Sequence, residues 1–171
     1  MGSDSDFEAM KGAVEVLDEF SVSCTLRVLS AHRTPELLAR FVEESTQGGT
    51  RVFIAGAGGA AHLAGTVAAL TTLPVLGVPL GGSMLNGLDA LLATVQMPAG
   101  IPVATFAIGA AGARNAALCA VSILALGDPA LARRLESYRA RMIEKVAAAD
   151  AKVQSALAGM RKPGMSPRLN P

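Results

Sequence analysis

Ser30-Ala31-His32-Arg33-Thr34-Pro35 joins two unlike stretches of chain. Before it, Cys24-Thr25-Leu26-Arg27-Val28-Leu29 alternates in polarity and is β-branched, which predicts a strand. After it, Thr34 can cap a helix and Pro35 can start one, because proline at the first helical position loses no hydrogen bond. A hydroxyl, an imidazole and a guanidinium therefore share one strand-to-helix corner. In parallel α/β sheets such corners, at the carboxyl ends of strands, are where ligands bind.

Working outward, the helix predicted from Pro35 to Thr46 carries Leu37, Leu38, Phe41 and Val42 inward and ends at Gln47-Gly48-Gly49. Arg51-Val52-Phe53-Ile54-Ala55 reads as a buried strand delivering Gly56-Ala57-Gly58-Gly59-Ala60-Ala61-His62. That loop has neither a P-loop's Gly-Lys-Ser/Thr nor the spacing of a dinucleotide fingerprint. Its small residues suit either a ligand ring lying on bare backbone or close helix–strand packing. His62 falls near the start of a helix running from Ala60 to about Leu70, where a histidine is more often structural than catalytic. Pro74–Pro79 and Val103–Ile108 are further buried strands, with the loop Gly81-Gly82-Ser83 and a helix from Leu85 to Val95 between them.

Upstream, Met-Gly-Ser-Asp-Ser-Asp leads into a helical stripe of Phe7, Met10, Val14 and Leu17, with Asp6 placed to cap it. A Gly-Ser loop at a helix start offers backbone N–H groups to an anion, a weak signal on its own. Such a loop ordinarily follows a buried strand, so the alternation calls for a strand before Met1. The helix predicted from Asn115 to Leu126 is small or apolar on nearly every face, which calls for a partner subunit as cover. Asp128-Pro129 opens a long amphipathic helix, and residues 161–171, with three prolines, read as a tail.

Four strands alternating with helices define a three-layer α/β/α sandwich, a doubly wound, flavodoxin-like parallel sheet with a long C-terminal helix. Residues 1–160 read as one domain. With 15 basic and 14 acidic residues among 171, there is no electrostatic case for nucleic acid or an anionic membrane. Val52 to Leu88 lacks Asp, Glu, Lys and Arg, but Gly and Pro break it into pieces too short for a membrane span. Cys24 and Cys119, both in apolar segments, read as buried free thiols of a reducing compartment, and no zinc-type cluster is present.

Four motifs in order give the chain a resemblance to class I N5-carboxyaminoimidazole ribonucleotide mutases. These are Gly2-Ser3-Asp4-Ser5-Asp6, the corner 30–35, Ala55 through Leu63, and Val95-Gln96-Met97-Pro98 with Gly100-Ile101-Pro102-Val103; Asn115-Ala116-Ala117-Leu118 follows. The related direct carboxylase carries Lys in place of Arg33 and lacks the Ala-Ala-His of 60–62, so the resemblance sides with the mutase. Ala64, Thr66 and Ala90 depart from the usual Pro, Met and Ser.

The resemblance implies a cytoplasmic, octameric enzyme of purine biosynthesis with no cofactor and no metal. It implies that a carbamate loses carbon dioxide, that the trapped gas attacks a ring carbon, and that a proton is then removed. His32 would give and take that proton, since imidazole titrates near ~6.5. Ser3 and Arg33 would hold the 5′-phosphate and Asp6 the ribose hydroxyls. Ser30, Ala57, Gly58 and Leu63 would enclose the base and carboxylate. Direct carboxylation and a non-catalytic nucleotide-binding module are the rival readings.

Overall fold

The computed structural model describes residues 1–160; the tail expected at 161–171 lies outside the described residues. Residues Met1–Ala132 form one compact unit, and the described residues from Arg133 to Met160 belong to a second.

In the first unit three parallel strands, β1 (Phe53–Gly58), β2 (Val75–Leu80) and β3 (Ala104–Thr105), lie side by side in that order. Phe53 pairs with Val75 and the register runs on to Gly58 and Leu80, while Leu76 and Gly77 pair with Ala104 and Thr105. Every residue of β2 is buried, as a central strand covered on both faces requires. Alternate residues of β1 serve opposite layers. Phe53 and Ala55 join a core with Leu38 and Val42 of α2 (Pro35–Gln47) and Leu63 and Val67 of α3 (Leu63–Leu70). Gly56 instead meets the thioether of Met10, from α1 (Phe7–Glu19). Helix α5 (Ala110–Ala125) packs along α1, and α4 (Leu88–Val95) lies on β2 and β3. The result is a flavodoxin-like α/β layering. The long helix α6 (Pro129–Met160) starts where the Asp128 carboxylate accepts the N–H groups of Ala130 and Leu131.

Several expectations shift. The strand starting at Arg51 begins at Phe53, and the one expected over 103–108 shortens to two residues. The all-apolar helix starts earlier, at Ala110, and much of it finds cover within the chain: Ala113, Ala116, Ala117, Ala120 and Val121 are buried. Cys24 is exposed and Cys119 half-buried, so the thiols are free but not both buried. Ala64 and Ala90, two of the unusual positions, are buried packing residues.

The largest correction concerns Cys24–Leu29. This segment is not a ladder strand, and Cys24 through Val28 are exposed. Among the described residues its only strand-like bonds are with Met1, whose ammonium donates to the Arg27 carbonyl (2.9 Å) and whose carbonyl accepts from Leu29 (2.9 Å). Gly2 in turn donates to the Gly56 carbonyl of β1 at 3.1 Å. Beyond these two residues, Cys24–Leu29 and β1 are separated by a cavity of about 500 Å³. A ladder needs a neighbour within about 4.8 Å, and here it exists only at the carboxyl end.

At the other end of the sheet, packing is tightest at Gly112, where an added Cβ would collide with the Ala107 carbonyl. Gly112→Ala should therefore destabilise the fold by about 1–3 kcal/mol, the usual cost of overpacking. At Gly56 the neighbour is a flexible methionine, so Gly56→Ala should cost less. Urea midpoints of the two variants check the order.

Candidate active site

Three loops leave the carboxyl ends of adjacent extended segments and meet in a cleft of about 490 Å³. The first is the turn after Gly2. Ser3 caps a 3₁₀ turn (Asp4–Asp6) through a reciprocal capping box: its hydroxyl accepts from the Ser5 N–H, and its own N–H donates to Asp6 Oδ2 at 2.9 Å. Asp6 occupies the N-cap position of α1 without capping it, because its carboxylate is turned back to Ser3. The Ser3 hydroxyl donates to Asp4 Oδ1 at 3.1 Å.

The second loop is the corner after Leu29. The Ser30 hydroxyl accepts from the N–H groups of His32 (3.3 Å) and Arg33 (3.2 Å). Thr34, expected as a helix cap, instead closes the corner on itself: it accepts from the Ser30 N–H and donates to the Ser30 carbonyl. The Arg33 guanidinium reaches across to the Gly2 carbonyl at 3.2 Å and leaves other N–H donors free.

The third loop follows β1. Ala61 is buried and holds a left-handed φ of 43°, a costly conformation for a residue with a Cβ. That turn sets His62 at the N-cap of α3. The His62 carbonyl accepts from both the N–H and the hydroxyl of Thr66, so the third unusual residue braces this loop.

The loops bring the two histidines together. His32 Nε2 lies 2.7 Å from His62 Nδ1, and the rings meet edge to face. One proton serves both nitrogens. When it sits on His32, the remaining His32 nitrogen, Nδ1, is a bare acceptor; when it sits on His62, the proton of a neutral His32 is on Nδ1, a donor. The protonation of the pair thus decides whether His32 Nδ1 is an acid or a base, and each proton that atom gives or takes changes the pair's charge by one.

The cleft is lined by every residue singled out in the sequence: His32, Ser3, Asp6, Ser30 and Arg33, and Ala57, Gly58 and Leu63 from the glycine loop. It is also lined by Ser5 and the loop Gly81-Gly82-Ser83, which sequence reasoning left outside the site, and by His62, which it took to shape the pocket rather than carry the proton. For the 81–83 loop, a signal existed: two glycines directly after a strand. For the pairing of His62 with His32 there was none, since the two histidines are 30 residues apart.

Comparison with known proteins shows the family and the fold. The family described as AIR carboxylase matches residues 1–145. The chain is 54% identical over 147 residues to the N5-carboxyaminoimidazole ribonucleotide mutase of Brucella melitensis, covering 86% of this chain and 91% of that one. It is 52% identical over 154 residues to the mutase of Mycobacterium tuberculosis, covering 90% and 87%. The crystal structure of Treponema denticola PurE superimposes with a TM-score of 0.81 at 27% identity, over 89% of this chain and 94% of that chain. A flavodoxin-like α/β fold with a cleft at its strand ends defines the class. The chain belongs to the AIR carboxylase family.

Both histidine rings are exposed. His32→Asn and His62→Asn should each change folding stability by less than about 0.5 kcal/mol, as surface substitutions do. Each should nonetheless move the ¹⁵N resonances of the other ring, because the shared proton is lost. Ring nitrogen shifts that ignore the neighbour's removal would show that the contact does not persist in solution.

Proposed function

We propose that the chain is an N5-carboxyaminoimidazole ribonucleotide mutase of de novo purine (IMP) biosynthesis, moving a carboxylate from the exocyclic nitrogen of an aminoimidazole ribonucleotide to a ring carbon. The observation that carries this reading is the His32–His62 contact beside Arg33 and the Ser3–Asp6 turn, in a chain that shares half its residues with mutases. The carbamate C–N bond breaks, and its electron pair returns to nitrogen as that nitrogen takes a proton. Carbon dioxide is then attacked by the ring carbon, and the hydrogen on that carbon leaves as a proton. One group must therefore donate once and accept once, which His32 Nδ1 can do: the proton it gives to the nitrogen is replaced by the one it takes from the ring carbon, so the pair ends as it began, with the contact to His62 holding the ring.

Arg33 and Ser3 hold the 5′-phosphate in this reading. The guanidinium keeps free donors, and the Ser3 hydroxyl turns away from Asp4 to donate to the ligand. Asp6 has one oxygen committed to Ser3, leaving the other for ribose hydroxyls. Ala57, Gly58 and Leu63 form the wall against the base, and Ser30 fixes the corner.

The family description favours a second reading, direct carboxylation of the free amine. Parallel assays separate the two: the mutase turns over the carbamate and not the amine with bicarbonate, and the carboxylase does the reverse. With the carbamate, His32→Asn should lower kcat by about 10²–10⁴ while leaving ligand affinity nearly intact. His62→Asn should cost less and displace the pH profile, and Arg33→Ala should act chiefly on KM. Near-normal turnover in His32→Asn, alongside a folded but inactive His62→Asn, would move the acid–base role to His62.

The chain is further proposed to work in the cytoplasm, as a homo-oligomer of eight copies. Among the described residues no helix is long and apolar enough to cross a membrane. In the first unit Met84, Leu85, Leu88, Leu92 and Val95 are exposed together along α4 and the loop before it. In the second, α6 exposes Met142, Ile143 and Val146. Light scattering at micromolar concentration should give a mass several times 17.4 kDa, and a monomer mass would refute assembly.

A further inference from the structure

Directly after β2, Gly81, Gly82 and Ser83 line the cleft, and Met84 and Leu85 beyond them are exposed. Two of the three lining residues have no side chain. The third has its hydroxyl proton engaged elsewhere: Ser83 Oγ donates to Asp89 Oδ1 at 2.8 Å while it accepts from the Leu85 N–H at 3.3 Å. What this wall offers the cleft is backbone, so its use depends on where it stands.

The loop is closed at its base. A Cβ placed on Gly87 would lie 3.3 Å from the Gly81 Cα and from the Leu80 carbonyl oxygen, so the two ends of residues 81–87 touch. Between them Gly82 and Asn86 hold left-handed φ angles of 114° and 50°, and the Asn86 N–H returns to the Ser83 carbonyl. A short loop with joined ends can swing as a unit about its base unless its middle is held. Among the described residues, one side-chain hydrogen bond ties 81–87 to the chain outside it, and that is Ser83–Asp89.

The far end of this tether is firm. Asp89 lies in the first turn of α4, where the helix dipole favours a carboxylate. The next residue, Ala90, is fully buried. Thr94, one turn on, is buried against β2, where a Cβ added to Gly77 would strike its methyl. The hold therefore runs from the cleft wall through α4 to the central strand. Its acceptor is charged, which makes it stronger than a bond between neutral groups.

We propose that Ser83 and Asp89 are positioning residues, whose hydrogen bond keeps the Gly81–Ser83 wall on the cleft so that carbon dioxide released there reaches the ring carbon; this rests on the mutase reading above. Neither residue touches the reacting atoms. With the wall swung away, cleavage still runs. The carbamate C–N bond breaks, the nitrogen keeps the electron pair and takes its proton, and carbon dioxide escapes into water, leaving the free amine. Losing the tether thus uncouples cleavage from recapture.

The experiment supplies the carbamate and measures free amine formed per carboxylated product, less the amine formed without enzyme. Ser83→Ala and Asp89→Ala should each raise this ratio about tenfold, as losing a hydrogen bond to a charged group allows, with KM nearly unchanged. Ser83→Thr, which keeps the hydroxyl, should restore the ratio. The double variant should leak no more than either single one, since both remove the same bond. Hydrogen exchange over residues 81–87, read by mass spectrometry, should be about tenfold faster in Asp89→Ala, where the loop's own residues are intact. Variants that lose stability or kcat at an unchanged ratio would overturn the proposal, as would unchanged exchange in Asp89→Ala. A leak found only where light scattering shows a fallen mass would assign the effect to assembly and overturn it too. An unsubstituted chain that makes no product from the carbamate would instead sink the mutase reading, and this role for the tether with it.

Discussion

Three backbone hydrogen bonds at Met1 and Gly2 tie the two walls of the sheet together, and the site is hung from them. Leu29, bonded to Met1, is followed directly by the Ser30–Arg33 corner. Gly56, bonded to Gly2, is followed by the loop that ends in His62. Gly2 itself is followed by Ser3 and Asp6. Each cluster of chemical groups thus starts just beyond a residue pinned to its neighbour. The Arg33 guanidinium adds a fourth tie, to the Gly2 carbonyl, where the loops have already separated. A slip of one residue in this pairing would turn side chains to the opposite face and separate His32 from His62.

The division of labour between core and loops follows from charge. From Val52 to Leu88 no Asp, Glu, Lys or Arg occurs, and this stretch supplies β1, α3 and β2, all closely packed. An unpaired charge among those layers would cost more than one domain can spare. Ionisable chemistry is therefore confined to the loops, where His62 is the one titratable side chain this long stretch contributes. Its loop bears a local cost instead. Ala61 takes a left-handed φ although it is not glycine, and it is buried.

Most of this layout was legible in the sequence, for physical reasons. Strand-then-small-residue junctions mark the carboxyl ends of β1 and β2, and Thr34-Pro35 marks a helix start, so the fold and its loops could be placed from local pattern, while the choice of eight site residues on those loops came from the family resemblance. Boundaries moved where local pattern is silent. Residues 51 and 52 look like strand but lie ahead of their partner's start at Val75, and the pairing decides. Cys24–Leu29 has the composition of a strand yet is not one, because a strand is a property of pairs and its pairing stops at Met1. His62 could not be tied to His32, since nothing in 30 residues of sequence encodes which turn of which loop faces which.

Exposure of the histidines bears on what the site needs to work. In the proposed reaction, carbon dioxide released from the carbamate is recaptured before it diffuses away, which calls for a closed cavity. In the chain by itself both rings are open to solvent. One wall of the cleft is Gly81-Gly82-Ser83, and the same loop continues into the exposed Met84 and Leu85 and the apolar face of α4. Left-handed φ angles at Gly82, Asn86 and Gly87 bend it sharply at both ends, and Ser83 is tied to Asp89 of α4 at 2.8 Å. A second copy seated on that apolar face would press on the segment that walls the cleft. Assembly and closure of the site would then be one event, with the Ser83–Asp89 bond as the link between the surface and the chemistry.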